Sequence, residues 1–223
     1  MHSTRHRFCS VVGTHPSPLG FGTEREKITY GPRLPRLRRK LAQIPFSPLR
    51  SHSFGEEKHR FQLGRTVSPA TLDAFETDHG VVLPAPYRDF LTFLGATGAS
   101  PFYGLLPLSR CELFTMDPKG AEDGAPRGFT TVEDRARPGD RFLHIIEAGC
   151  SDVVLLGVTG PLTGRIVTGN SDGFRGPDLS SAPDFIAWYE LWLDEMAAGH
   201  DSRALELTSP ASRSAERGAR PTS

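Results

Sequence analysis

The stretch that most restricts what this chain can fold into is residues 69–108, and above all the run Leu83-Pro84-Ala85-Pro86-Tyr87-Arg88-Asp89-Phe90-Leu91. Leu72, Phe75 and His79 recur at i, i+3 and i+7, and Tyr87, Phe90, Leu91 and Leu94 at i, i+3, i+4 and i+7. Each set predicts a short helix with one apolar stripe to bury. Ser68 can accept from a free N–H at the first helix start, and Pro69 suits a position whose N–H has no partner. Gly80 can take the left-handed conformation that stops the helix. Pro84 and Pro86 forbid continuation and restart the chain as a second helix, which Gly95 closes. The expected unit is helix, tight corner, helix.

The flanking segments supply a sheet and two further helices. Residues 142–147, 152–158 and 165–168 are rich in β-formers and separated by turn residues, so they predict a meander. Val153-Val154-Leu155-Leu156 lacks polar alternation and predicts a central strand covered on both faces. His59-Arg60-Phe61-Gln62-Leu63 alternates polar and apolar and predicts a half-buried strand, with another at 105–108. A helix is expected over 36–44, with Leu37, Leu41 and Ile44 on one face and basic residues on the other. Such a face reads as a nucleic-acid or membrane contact, or as a lid packed on an acidic body. The last helix begins near Ser181, which with Asp184 resembles a capping box. It presents Phe185, Trp188, Tyr189, Trp192, Leu193 and Met196, and Gly199 ends it. Residues 115–140 read as a long surface loop with one short element at 129–132. The expected fold is α+β, with a central, mostly antiparallel sheet and helices packed on it. One domain at 33–199 is expected between a disordered extension at 1–32 and a flexible tail at 200–223.

The formal net charge of zero hides a split: residues 1–65 carry 13 Lys and Arg against 4 Asp and Glu, and residues 66–200 carry 9 against 19. Three cysteines, Cys9, Cys111 and Cys150, show no zinc-like spacing and cannot all pair internally, which fits a reducing compartment. No stretch approaches the roughly 20 apolar residues of a membrane span. A cytoplasmic protein is expected, with no membrane contact.

One catalytic motif matches literally. Gly169-Asn170-Ser171-Asp172-Gly173 fits the nucleophile elbow G-x-S-x-G, with Asp178 or Asp184 and His200 in the matching order. The elbow needs a helix directly after it, and Phe174-Arg175-Gly176-Pro177 cannot supply one. The same segment has Asn170, Asp172 and Gly173 where a calcium loop has them, but Thr168 and Leu179 stand where that loop needs carboxylates. His79 reads as a core or capping histidine, and Cys150 as a small buried residue. No metal or cofactor signature is present, and the expectation is no enzyme.

The pattern Phe75-Glu76-x-x-His79-Gly80, then Leu83-Pro84-x-x-Tyr87-Arg88-x-Phe90-Leu91, then Gly95 and Phe102-Tyr103-Gly104-Leu105, resembles the SUKH superfamily, the Smi/Knr-type domain. Phe142-Leu143, Gly149-Cys150, Val153 to Leu156, Val158-Thr159-Gly160-Pro161, Gly164-Arg165 and Phe185 to Leu193 extend the likeness over residues 33–198. The turn at Gly149-Cys150-Ser151-Asp152 lacks the further glycine common there, and the strand Ile166-Val167-Thr168 lacks a tryptophan often found. The resemblance implies a protein-binding module, foremost an immunity protein that neutralises a toxin by stoichiometric binding. The partner would then be a protein, for instance a basic nuclease-type toxin, and direct contact with nucleic acid is not expected. A regulatory scaffold of cell-wall or signalling proteins is the alternative, and a hydrolase using Ser171 a third reading. Glu147, Asp152, Asp172 and Asp178, on loops flanking the sheet, are the expected partner-binding residues, because an acidic face complements a basic toxin.

Overall fold

In the computed structural model, which describes residues 33–50, 52–115, 136–170 and 178–200, the chain opens with helix α1 (Arg33–Gln43) and a 3₁₀ turn (Ile44–Phe46). Leu34, Leu37, Leu41 and Ile44 are buried, so the expected apolar face is the docking face. A one-turn helix α2 (Glu56–His59) follows. The expected strand at 59–63 is not formed: His59 ends α2, Arg60 and Phe61 both take positive φ (49° and 57°), and only Leu63 makes a single bridge, to Gly98. Tertiary contacts of His59 and Phe61 override the local alternation there.

The helix pair forms as α3 (Pro69–His79) and α4 (Ala85–Phe93). Ser68 Oγ accepts the Thr71 N–H at 3.1 Å, and Gly80, at φ 61°, stops α3. Tyr87, Phe90, Leu91 and Leu94 are all buried. The stripe of α3 is narrower than expected: Leu72 and Phe75 are buried but His79 is exposed. The His79 ring stacks on Phe75 with centroids 4.1 Å apart, and its Nδ1 lies 2.9 Å from the Phe75 carbonyl oxygen, a capping role at the helix end.

Five strands form an antiparallel meander in sequence order: β1 (Leu113–Thr115), β2 (Arg141–Gly149), β3 (Asp152–Gly157), β4 (Ile166–Asn170) and β5 (Asp178–Leu179). The expected strand at 105–108 is reduced to a bridge at Leu105, and Leu108 enters a 3₁₀ turn (Leu108–Arg110). Single bridges Leu63–Gly98, Gly98–Leu105 and Leu105–Ile146 carry the ladder on sideways from β2. As expected, β3 is central and covered on both faces. Val154 and Leu156 join the main core under the helices, while Val153 and Leu155 join a second cluster with Phe142, Leu162 and Val167.

The last helix, α5 (Phe185–Ala197), starts one turn later than the Ser181 cap suggests. Asp184 is its N-cap, accepting the Ala187 N–H at 2.7 Å. Phe185, Trp188, Tyr189, Trp192, Leu193 and Met196 are buried, and full burial of each large apolar side chain contributes about 1.5–3 kcal/mol. Phe185 meets Tyr87 and Phe90 edge to face at 4.8 and 5.0 Å, tying α5 to α4. The expected elements at 1–32, 129–132 and 201–223 lie outside the described residues.

Basic residues flanking the buried stripe of α1 reach across to the body. Glu190 on α5 is nearly buried, at 10% side-chain exposure, and pairs with Arg33 at 3.5 Å, with Lys40 at 3.0 Å and with Arg36. Lys40 also reaches Asp194 at 2.6 Å, and Arg38 donates to the Phe93 carbonyl at the end of α4 at 2.6 Å. The described residues carry 14 Lys and Arg against 15 Asp and Glu. The excess of acids over 66–200 is therefore offset within the fold by the preceding segment.

Candidate protein-binding surface

Two aromatic rings remain at the surface because the backbones beneath them touch. Gly55, at φ 84°, packs so closely on the 102–103 peptide that a Cβ there would lie 2.3 Å from the Phe102 carbonyl oxygen. Only glycine fits this approach. It places Phe54 and Tyr103, from segments about fifty residues apart, side by side with ring centroids 5.1 Å apart. The two residues keep over a third of their surface exposed, 37% and 36%. The Tyr103 N–H donates to the Glu147 carbonyl at 3.4 Å, and both rings lie against Gly149, where a Cβ would meet each at 3.4 Å.

Gly149 leads into the β2–β3 hairpin. Gly149 pairs with Asp152, and the two loop residues, Cys150 and Ser151, have φ of 51° and 65°. This is the signature of a type I′ turn, which Asn-Gly normally fills, so two residues with β-carbons hold left-handed backbone here. Cys150 is exposed, contrary to the burial expected from its size and neighbours, because the turn projects it from the sheet end. Cys111 is buried and burial pushes its thiol up to about 12, so it stays protonated at neutral pH.

The four expected partner-binding residues divide. Antiparallel strands put the β2–β3 turn, the end of β4 and the start of β5 at one end of the sheet. Asp152 opens β3 opposite Asn170 of β4, and the Asp178 backbone pairs with Thr168. Glu147 pairs with Val153, so strand alternation puts Glu147 and Asp152 on opposite faces of the hairpin. Glu147 is 46% exposed, 3.9 Å from the imidazole of His144. Asp172 lies outside the described residues, as do Ser171 and the side chain of Asp178. Asp184 and His200 sit at opposite ends of α5, about 20 Å apart for 13 residues, so they form no acid–base pair. Among the described residues, no group of three His, Cys, Asp or Glu side chains is placed to hold a metal ion, and no helix is long and apolar enough to cross a membrane.

Sequence reading missed Phe54 and did not single out Tyr103 as a contact residue. Their meeting depends on a glycine contact between distant segments, for which local spacing has no signal. A second exposed apolar site lies near the end of α5, where Phe46, 85% exposed, borders a shallow groove of about 370 Å³ with Leu193 and Ala197. Phe46 is little packed, whereas Phe54 and Tyr103 are held in place before any partner arrives.

No family model, curated protein or solved structure matches this chain.

Proposed function

We propose that this protein is a non-enzymatic binding module that neutralises a protein toxin by one-to-one association. The observation that carries the reading is the preformed Phe54–Tyr103 pair beside the β2–β3 turn. Aromatic side chains held rigid at a surface are favoured anchors of protein interfaces, since little side-chain freedom is lost on binding. The SUKH-like arrangement of the sequence supports the toxin-immunity class. Glu147, on the rim of the same sheet end, suits Lys and Arg of a basic nuclease-type target and would speed encounter with it. The proposal includes a cytoplasmic setting, supported by the reduced thiol of buried Cys111. The test is to isolate the partner by crosslinking in the native cell, purify it and titrate its activity with this protein. Complete inhibition at a one-to-one ratio is expected. An enzyme left fully active in the complex would point to a scaffold instead.

A further inference from the structure

The surface just described is pinned from below by one buried side chain. His59 is 7% exposed and lies beneath the loop that carries Tyr103, next to Gly104. Its Nδ1 accepts the Phe61 N–H at 3.0 Å, and its ring packs on the 100–104 loop, where a Cβ at Gly104 would lie 3.1 Å from its Cδ2. A single neutral imidazole, protonated at Nε2, therefore ties the 59–61 turn to the 100–104 loop.

Both tied segments are strained. Arg60, Phe61 and Phe102 have φ of 49°, 57° and 57°, and each non-glycine residue in that region costs about 1–2 kcal/mol. Phe61, stacked on Trp192 at 6.2 Å and with the Arg50 guanidinium 5.0 Å from its ring centroid, is part of the same knot.

We propose that His59 is a proton-operated latch on the Phe54–Tyr103 surface. Protonation of Nδ1 sets an N–H against the Phe61 N–H, breaks that bond, and lets the strained segments and the two rings move apart. Burial lowers the affinity of His59 for a proton, and the nearby backbone of Phe102 and Ser100 and the charges of Glu56 and Glu57 only partly oppose this. Arg50 is already paired with Glu56, the 98–104 loop carries no charged residue, and α5 offers the Trp192 ring. The latch is thus closed at neutral pH and opens on acidification. In functional terms it rests on the proposed binding role, since it regulates that same surface.

The test uses the full chain without a partner, so it is independent of whether a toxin binds. Ring and amide NMR signals are followed from about pH 8 to about pH 5. The latch predicts that His59 titrates below the ordinary value of about 6.5, and that the Phe61 amide and the Phe54 and Tyr103 rings shift with the same midpoint. In His59→Gln those three signals stay flat. Should that variant fail to fold, coincidence of the wild-type midpoints alone decides. Ring signals that ignore the titration of His59, titrate unchanged in His59→Gln, or leave His59 untitrated over the range overturn the latch. Binding measured at about pH 7.5, where His59 is neutral, separately tests the surface itself.

Discussion

Arg88 of α4 reaches back across the proline corner to pair with Glu76 of α3, and the other oxygen of that carboxylate accepts the Leu83 N–H at 2.6 Å. The two side chains are only 13% and 10% exposed. Burial alone would lower the Arg88 pKa, but hydrogen bonds to Glu76 and Asp73 outweigh it and raise the value. The helix–corner–helix unit is thus closed by an ion pair as well as by its apolar stripes.

Removing one partner leaves the other charge buried. Arg88→Met is expected to destabilise the fold by about 2–4 kcal/mol, while Glu76→Gln with Arg88→Met costs less than the sum of the single changes. Urea denaturation at neutral pH measures both. Strict additivity would mean that the pair is not coupled.

Glu190 makes the α1–α5 contact sensitive to acid. Burial raises its pKa, but hydrogen bonds and charge from Lys40 and Arg36 more than reverse this, so the folded value is lowered. A carboxylate depressed by folding adds stability that is complete above its unfolded pKa, about 4.3, and disappears as pH falls through the folded value. Melting temperatures of wild type and Glu190→Gln should differ at about pH 6 and converge near about pH 3. A constant gap would contradict the assignment.

Helix α1 is held by its apolar face. Leu37, 1% exposed, should cost about 2–5 kcal/mol on truncation to alanine, whereas exposed Arg39→Ala should stay within about 0.5 kcal/mol. Thermal unfolding distinguishes these. A small effect at Leu37 would mean that α1 is not part of the cooperative fold.

The Cys150-Ser151 turn stores strain that glycine relieves. Ser151→Gly is expected to stabilise the fold by about 1 kcal/mol, since Ser151 sits at φ 65°. Denaturation midpoints read this directly, and a loss of stability would show that the serine side chain contributes more than its backbone costs.

The legible parts of the fold are those governed by local period. Tyr87, Phe90 and Leu91 fix α4, the unbroken Val153–Leu156 run fixes the central strand, and the aromatic spacing from Phe185 fixes α5. The illegible parts depend on distant groups. Residues 59–63 alternate as a strand does, yet His59 caps Phe61 and bends the chain the other way. Strands β1 and β5, three and two residues long, are too short to show a period. For the proposed surface the sequence offered only acidic residues on loops flanking the sheet, Glu147 and Asp152 among them, and no aromatic centre. That centre arises from the contact of Gly55 with the 102–103 peptide, which no spacing in the chain announces.

The central claim is that Phe54 and Tyr103 form the anchor of a protein-binding site, and partner affinity in Phe54→Ala/Tyr103→Ala tests it most directly. With the purified partner at neutral pH, calorimetric titration should show a loss of at least about 2 kcal/mol, roughly thirtyfold in Kd, at a temperature where the variant is still folded. Phe46→Ala, altered in the same way at the separate groove, should bind as the wild type does. Full affinity in the double variant, or loss of binding in Phe46→Ala instead, would contradict the account.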